Sequence, residues 1–372
     1  MTTVYLDNAA ATPVSLETLA IFNQYIETCY ANQEAAHGLA YQIREMMDKA
    51  AATLAHTILD DPKIGVCWGN STTELFNLIA NFPAFQRGNI VITALEHPAL
   101  LAALKRTGAE IRMVPPNPKT GQIEAQTIAK FLDEKTSLVA IHHVQSETGV
   151  IQNLQELSTT IKSCAPQALF LSDTVQSAGK IIIPWKIAGL DLAYCSGHKI
   201  GAPGGAALFC RDQKVLNFLK KARAEEYLSG RPDPAQCLTL AATVAKIERN
   251  KLADNANVLK IALLNELLNI TLPNSKKPIQ TISTSLTSPF ILHLLLPGMQ
   301  SAVITRMLSQ RGIHIASGSA CQAESKQPSS AILTLGYSRE EAYSGIRIST
   351  WNNPIEEIEH FIEEFKDIIK NY

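Results

Sequence analysis

The 372-residue chain has almost no net charge, no long apolar run and no closely paired cysteines. A formal net charge of -1 gives no basic field for nucleic acid or an anionic membrane. The most apolar run, residues 289–297, contains His293 and is too short to cross a bilayer. The seven cysteines include no C-x-x-C pair, and the first residues show no leader pattern. We therefore expect a cytoplasmic protein with reduced thiols and without nucleic-acid or membrane partners.

The composition is that of a folded chain with more than one core. Apolar residues make up 46% and charged residues 18% of the sequence, which is typical of globular proteins. A chain of 372 residues is too long for one ordinary compact core. We predict a large domain at residues 15–252 and a smaller domain formed by residues 1–14 and 253–372.

Short β-branched runs alternate with helical patterns between residues 63 and 210. The predicted strands cover residues 63–68, 89–94, 110–114, 137–144, 168–172, 190–196 and 206–210. Helical patterns lie between the earlier runs, at residues 98–106, 124–134 and 154–162. This alternation predicts an α/β fold with a mainly parallel, seven-stranded sheet covered on both faces. Ligand sites in such sheets lie in loops just beyond the strand ends.

The last third of the sequence has a different pattern. It predicts a long helix at residues 234–268, a strand at 289–296, a helix at 302–310, strands at 312–316 and 345–350, and a final helix from 354. We interpret this part as a smaller α/β domain joined to the first by the long helix.

Two strand ends carry residues suited to opposite ends of one cofactor. The segment LAYCSGHKIGAPGG places Lys199 after a strand, and ALFLSDTVQSAGK places Asp173 there with Gln176 one turn further on. Pyridoxal 5'-phosphate (PLP) binds a lysine covalently and needs a carboxylate beside its ring nitrogen. Taken singly, a lysine such as Lys199 is far more often a surface residue, and an aspartate such as Asp173 is by default a turn residue or helix cap. Together they favour a PLP site.

A third strand end resembles a phosphate site. The segment CWGNSTTELFN runs from a strand into a helix that begins near Ser71, Thr72 and Thr73. Free N–H groups and the positive end of the helix dipole attract phosphate there. The same residues also match a capping box between Ser71 and Glu74, and both interpretations can hold together.

Histidines and one cysteine make up the remaining candidate groups. His97, in ALEHPAL, could stack on a flat cofactor and move protons, although a structural role is the alternative. His142 and His143 are adjacent on a predicted strand and therefore point to opposite faces, so we assign no metal site. Cys321, in IHIASGSACQ, lies among small residues typical of a loop that presents a thiol, whereas most lone cysteines are buried and unreactive.

The ensemble resembles the cysteine desulfurases of the NifS/IscS type, within the class V aminotransferase group. The resemblance spans nearly the whole chain in the same order, through YLDNAAATP, GNSTTE, EHPA, SETGVIQ, SDTVQSAGK, SGHKIGAPGG, SGSAC and IRIST. It implies a fold-type I PLP-dependent transferase that converts L-cysteine to L-alanine and leaves a persulfide on the enzyme. The sulfur would pass to an acceptor protein for iron–sulfur cluster assembly or thiolation.

The resemblance also assigns roles to individual residues. It implies that Lys199 holds PLP, Asp173 faces the ring nitrogen and Gln176 lies near the phenolic oxygen. His97 would stack on the ring and act as acid or base, and Cys321 would take the substrate sulfur. The remaining implied contacts are to the phosphate (Thr73, Ser196 and His198) and to the substrate carboxylate (Arg347). Ser71 and Thr72 are predicted to bind the cofactor as residues of the same helix start as Thr73.

Three positions depart from the family pattern. Ser146, preceded by Gln145, stands where the family usually has an asparagine against the phenolic oxygen. Arg231, in LSGRPDPAQ, stands where a neighbouring subunit usually offers a threonine to the phosphate. The stretch NQEAAHGLA lacks the usual proline and serines. We expect a homodimer in which Arg231 or its segment contacts the phosphate of the second subunit.

Two other functions fit the same residues. A related PLP enzyme, such as a selenocysteine lyase, a cystine C–S lyase or a class V aminotransferase, would keep Lys199 and Asp173 without needing Cys321. A non-catalytic scaffold on a decayed enzyme fold is the other alternative, and the retained Lys199, Asp173, His97 and Cys321 argue against it.

Overall fold

The computed structural model describes residues 3–224, 229–282, 286–318 and 327–372, and Cys321 lies outside these ranges. The strands in chain order are β1 (Val4–Tyr5), β2 (Gly65–Gly69), β3 (Asn89–Thr93), β4 (Glu110–Val114), β5 (Thr136–Ala140), β6 (Leu169–Ser172), β7 (Leu192–Ser196), β8 (Ala206–Cys210), β9 (Gln280–Thr281), β10 (Ile291–Leu295), β11 (Ile313–His314) and β12 (Gly345–Ser349).

The helices connect and cover these strands. In chain order they are α1 (Leu16–Thr28), α2 (Gly38–Leu59), α3 (Thr72–Ile79), α4 (Pro98–Lys105), α5 (Ala125–Ile128), α6 (Leu154–Cys164), α7 (Gln213–Ala224), α8 (Pro234–Ala245), α9 (Arg249–Leu267), α10 (Ser301–Gln310), α11 (Ser330–Thr334), α12 (Arg339–Tyr343) and α13 (Ile355–Asn371). None of the helices within the described ranges is long and apolar enough to cross a membrane.

Within the described ranges, the central sheet has seven strands in the order β2-β8-β7-β6-β5-β3-β4. Neighbouring strands from β7 to β4 are parallel, and β8 is antiparallel to both β2 and β7. The predicted α/β fold with a mainly parallel, seven-stranded sheet is therefore confirmed, and each predicted strand overlaps an observed one. Strands β3, β7 and β8 are buried along their whole length, as expected of strands covered on both faces.

Two apolar cores cover the two faces of this sheet. Along β3, Val91 belongs to one core, whereas Ile90 and Ile92 belong to the other, because successive strand residues point to opposite faces. The first core is completed by α2, α6 and α8, and the second by α3, α4 and α7. The rigid sheet thus fixes the positions of the loops at its strand ends.

A third core lies in the last third of the chain and includes the first strand. There β12, β10 and β9 form an antiparallel sheet, and β1 pairs in parallel with β11. Val4 and Leu6 pack in the same core as side chains of α9, α10 and α13. The assignment of residues 1–14 and 253–372 to a smaller domain stays a prediction, and this shared core is what supports it.

The helix predicted over residues 234–268 is two helices. Glu248, with ψ 76, leaves the helical region between α8 and α9. The break lets the first half pack on the large sheet while Leu259 and Leu263 pack in the third core. A continuous helical pattern in the sequence does not reveal this change, because both halves keep helical periodicity while facing different cores.

Candidate functional site

A cavity of about 360 Å³ lies beyond the carboxyl ends of β3, β5, β6 and β7. This is the edge at which ligand sites are expected in parallel sheets, and the volume suits a small cofactor. The N-terminal segment, the first turn of α3, the start of α11 and Arg347 of β12 close its other sides. Its lining comprises Ala9, Ala10, Thr72, Thr73, Phe76, Ala94, Leu95, Glu96, His97, Pro98, His142, Val144, Gln145, Ser146, Glu147, Asp173, Val175, Gln176, His198, Lys199, Ser330, Ala331 and Arg347.

Lys199 reaches the cavity from a tight turn that follows β7. Its ammonium nitrogen donates to the carbonyl oxygen of Ala10 at 2.5 Å. Thr12 binds the same turn twice, through its hydroxyl to the Lys199 carbonyl at 3.0 Å and through its N–H to the His198 carbonyl at 2.8 Å. The N-terminal segment therefore holds the lysine in place, which explains why residues so distant in sequence belong to the site.

Asp173 lies at the end of β6 and is half-buried against the cavity. Its Oδ1 accepts the Val175 N–H at 3.0 Å, and its carbonyl accepts the His143 N–H at 2.9 Å. Burial, and then the nearby Glu96, raise the pKa of Asp173. A cationic group placed against this carboxylate would remove that penalty.

Gln176 and Arg347 are buried polar residues with donors or acceptors left unpaired. Gln176 donates from Nε2 to the Ala9 carbonyl at 2.9 Å, while its Oε1 has no partner among the described residues. Arg347 donates to the Ser146 carbonyl at 2.9 Å and to Asp7 at 2.6 Å, and its buried Nε has no partner among those residues. Unpaired buried polar atoms are costly, so both residues are suited to binding a polar ligand.

The first turn of α3 offers two exposed or half-buried threonines to the cavity. Ser71 accepts the Glu74 N–H at 3.1 Å and so caps the helix, whereas Thr72 and Thr73 line the cavity. Glu74 in return accepts the Asn70 N–H at 2.8 Å. Ser71 therefore caps the helix as predicted, whereas Glu74 bonds the residue before the cap, so the contacts given for these two residues make only half of a capping box. The helix N-terminus beside Thr72 and Thr73 remains suited to phosphate.

The two candidate histidines occupy different walls of the cavity. His97 accepts the Ala99 N–H through Nδ1 at 3.2 Å, and its ring centre lies 6.5 Å from that of Phe76. His198 lies 2.9 Å from the Ser196 hydroxyl through Nδ1. Desolvation, and then the cationic neighbours Lys199 and Lys180, lower the pKa of His198 to about 4. A neutral imidazole at this position can donate its one N–H to an anionic group.

Three of the predicted contact residues do not line the cavity. Ser71 caps α3, and Ser196 is buried behind His198. Arg231 is exposed, and its carbonyl accepts the Asn70 side-chain amide at 3.1 Å. Cys321 lies outside the described residues. On the C-terminal side of that undescribed segment, the described Ser330 and Ala331 line the cavity.

Four charged residues around the cavity had no role in the sequence interpretation, and each lies within a motif that carries the family resemblance. Asp7 pairs with Arg347. Glu147 accepts the Ser329 hydroxyl at 2.5 Å, and burial raises the pKa of its carboxyl group. The other two are Lys180 and Glu96.

Lys180 is a buried cation behind the site. Its nitrogen lies 5.6 Å from the ring centre of Trp351 and 5.9 Å from that of Phe290. Burial, and then repulsion by Lys199 and Arg347, lower the pKa of Lys180 to about 7. The spacing of residues in the sequence could not have indicated this buried lysine, because the aromatic rings beside it, Phe290 and Trp351, come from distant parts of the chain.

The residues present fit PLP. The carboxyl group of Asp173 is destabilised as an anion until a cation faces it, which is what a protonated ring nitrogen provides. The unpaired Oε1 of Gln176 and Nε of Arg347 are buried polar atoms that a polar ligand would satisfy. Lys199 and the N-terminus of α3 border the same cavity, so one molecule can contact a lysine at one end and a helix dipole at the other.

The family is shown by comparison with known proteins. The sequence profile of the family described as Aminotransferase class-V matches residues 4–361. The chain belongs to the class V aminotransferases, and it is thereby an enzyme of a group that is generally PLP-dependent. The predicted resemblance to this group is confirmed.

Similar proteins include cysteine desulfurases. The cysteine desulfurase IscS of Anaeromyxobacter sp. (strain K) is 26% identical over 385 residues, covering 99% of this chain and 92% of its own. A crystal structure of a NifS-like protein from Rickettsia africae ESF-5 has a TM-score of 0.84 and 24% identity, with both chains covered completely. A structure of SspA in complex with cysteine has a TM-score of 0.74 and 24% identity, covering 94% of this chain and 98% of its own. The two structures support the fold.

Proposed function

We propose that this protein is a cysteine desulfurase that uses PLP, converts L-cysteine to L-alanine and carries the sulfur as a persulfide on Cys321. The observation that carries the proposal is the meeting of Lys199 and Asp173 at one cavity, each from the end of a different strand. The name of the Anaeromyxobacter relative, and the cysteine in the SspA complex, support the substrate.

The residues of the cavity have distinct roles in this proposal. Lys199 holds the cofactor covalently and, once released, moves the proton of the substrate Cα. Asp173 faces the ring nitrogen of the cofactor, and Gln176 and Ser146 contact its phenolic oxygen. Thr72 and Thr73, at the N-terminus of α3, contact the phosphate with His198, and His97 packs on the ring. When bound, PLP supplies a protonated ring that accepts the electron pair left at Cα.

Sulfur transfer follows from a thiolate at Cys321. Its sulfur forms an S–S bond with the substrate sulfur while the substrate C–S bond breaks, and the bonding electrons pass to the amino-acid fragment that leaves as alanine. Arg347 binds the substrate carboxylate and fixes its orientation. His97 is the candidate group that removes the thiol proton. The motif SGSAC supports the choice of Cys321, whose position in space is not described.

The test measures alanine and sulfide released from L-cysteine by the PLP-loaded protein with a thiol reductant. Wild-type protein should release both, and Cys321→Ala should release little of either while keeping PLP bound. Cys164→Ala, which removes a half-buried thiol at the last residue of α6, is the matched control and should keep the wild-type rate. Equal rates for wild type and Cys321→Ala would show a PLP lyase of another kind.

We also propose that the protein is a cytoplasmic homodimer that delivers sulfur to an acceptor protein for iron–sulfur cluster assembly or thiolation. Two features of the single chain support a second subunit. Arg231 is exposed and does not line its own cavity, and α1 exposes the apolar Leu16 and Ile26. Light scattering of the PLP-loaded protein should give twice the mass of 40.5 kDa, and an active monomer would contradict the dimer.

A further inference from the structure

A buried carboxylate and a histidine belong to the cavity wall, near Asp173. Glu96 follows β3, and His142 follows β5; their side chains are only 1% and 5% exposed. One oxygen of Glu96, Oε1, receives the Thr93 hydroxyl at 2.8 Å, the His142 backbone N–H at 2.6 Å and His142 Nδ1 at 2.7 Å. Hydrogen bonds of this kind stabilise the ionised form of a carboxyl group.

The other oxygen of Glu96, Oε2, is buried and has no partner among the described residues. The three donors therefore meet at Oε1 alone, and these contacts favour the ionised form of Glu96, held in place by Thr93 and His142.

The protonation of His142 is fixed by Gln152. The Gln152 side chain accepts the Ile123 N–H through Oε1 at 2.8 Å, which orients its amide group. Its Nε2 then donates to the Gly121 carbonyl at 3.0 Å and faces His142 Nε2 at 3.2 Å. His142 Nε2 must accept, so the ring proton lies on Nδ1 and points at Glu96. A neutral His142 leaves the negative charge of Glu96 uncancelled.

This charge acts on Asp173, which has a weaker set of donors. The Asp173 side chain receives the Val175 N–H, and the charged or titratable groups that face it are Glu96, His97 and His142. Of two neighbouring carboxyl groups, the one with fewer donors has the higher proton affinity. Asp173 is that group, and it is the one that faces the proposed cofactor.

We propose that Glu96 is a positioning residue: held as an anion by Thr93 and by the fixed tautomer of His142, it places a negative charge near the Asp173 carboxylate and so favours the protonated ring nitrogen of bound PLP. The inference rests on the proposed cofactor. Although Glu96 borders the cavity, its role here is to act through its charge on Asp173. Its effect should be seen in the protonation of the ring nitrogen, and a purely structural role would not change that quantity.

The test is solid-state NMR of the holoenzyme loaded with PLP that carries nitrogen-15 at the ring nitrogen. Wild type should show a protonated ring nitrogen at pH 7. Glu96→Gln keeps an acceptor for His142 and removes the charge, so the equilibrium constant for protonating the ring should fall about tenfold, one pKa unit. Glu96→Asp, which keeps the charge, should restore most of the protonated signal.

Thr93→Val is the matched control, since it removes one donor to Glu96 and leaves the charge. An unchanged ring signal in Glu96→Gln, or an equal change in Thr93→Val, would overturn the inference. If Glu96→Gln does not fold, the histidine nitrogen-15 spectrum of the wild-type holoenzyme decides. It must contain a neutral imidazole protonated at Nδ1, and its absence contradicts the inference. Wild-type protein that binds no PLP would instead refute the proposed function.

Discussion

Arg347 donates from two of its three nitrogens to groups of its own chain, and the third, Nε, has no partner among the residues that the structure describes. The contacts to Asp7 at 2.6 Å and Ser146 at 2.9 Å fix the plane of the guanidinium group, which is 3% exposed. Its unpaired Nε then defines one edge where a carboxylate can bind. Because the group cannot rotate, a ligand bound there has one orientation, which a transfer between fixed atoms requires.

Replacement of Arg347 by lysine should weaken substrate binding. Lysine keeps the charge but cannot hold Asp7 and Ser146 while contacting a third group. A hydrogen bond to a charged group is worth about 1.5–3 kcal/mol, so the KM for L-cysteine should rise roughly 10- to 100-fold. The measurement is steady-state alanine release with PLP saturating.

Arg339→Lys, on the exposed face of α12, is the control and should leave KM unchanged. PLP content should also be measured, because loss of cofactor would lower kcat as well. A wild-type KM in Arg347→Lys would show that Nε does not bind the substrate carboxylate.

For individual residues, the sequence indicated the candidates at the strand ends but not the buried contact between Glu96 and His142. Lys199, Asp173 and His97 could be predicted, because each follows an apolar strand in a turn. Glu96 could not be given a role, since its partner His142 lies 46 residues away and the contact exists only in the folded chain. The predicted strand of residues 137–144 also hid this contact: β5 ends at Ala140, so both histidines follow the strand.

Among the elements, β7 and the turn after it determine where Lys199 lies. The Gly197 N–H donates to the Gly205 carbonyl at 2.9 Å, and the turn folds back against the following glycine-rich loop. A Cβ at Gly197 would lie 1.9 Å from the Gly204 carbonyl oxygen, too close for any side chain. The glycine in SGHK is therefore required by the approach of two backbone segments.

Gly197→Ala should unfold or strongly destabilise this region. Backbone must move to remove the clash, and overpacking of this kind costs about 1–3 kcal/mol or more. The displaced turn would also move Lys199, so covalent PLP measured after borohydride reduction should fall. Thermal unfolding and the reduced adduct should be measured on the same preparation.

Gly38→Ala is the matched control, since Gly38 begins α2 and a Cβ there meets nothing within 4 Å. That variant should be as stable as wild type or slightly more so, because alanine has fewer unfolded conformations than glycine. Wild-type stability and PLP content in Gly197→Ala would show that the turn is not constrained as described.

The elements themselves were largely predictable from the sequence. Strands such as β3 are continuous apolar runs between polar turns, and such a signal is local. The break between α8 and α9 was not predictable, because it depends on which core each half meets. Short strands such as β9 and β1 depend on their partners for the same reason.

For the whole molecule, burial of neutral histidines couples stability to pH. Burial, with a small contribution from His142, lowers the pKa of His143 to about 4. Burial also lowers the pKa of His293 to about 4, although its contact with the Glu147 carbonyl opposes this. Both remain neutral in the folded protein at pH values where they take up protons in the unfolded chain. The folded state is therefore favoured above pH 6.5, and this advantage is lost as the pH falls from 6.5 towards 4.

The free energy of unfolding should fall steeply over that interval, and His143→Gln should make the fall shallower. A depression from 6.5 to about 4 corresponds to roughly 3 kcal/mol for one fully buried histidine. Denaturant unfolding at pH 7 and pH 4.5, at equal PLP loading, gives the difference for each protein. His56→Gln, at an imidazole that is 63% exposed on α2, should keep the wild-type pH dependence. If His143→Gln loses as much stability between pH 7 and 4.5 as wild type does, His143 is not held neutral by burial.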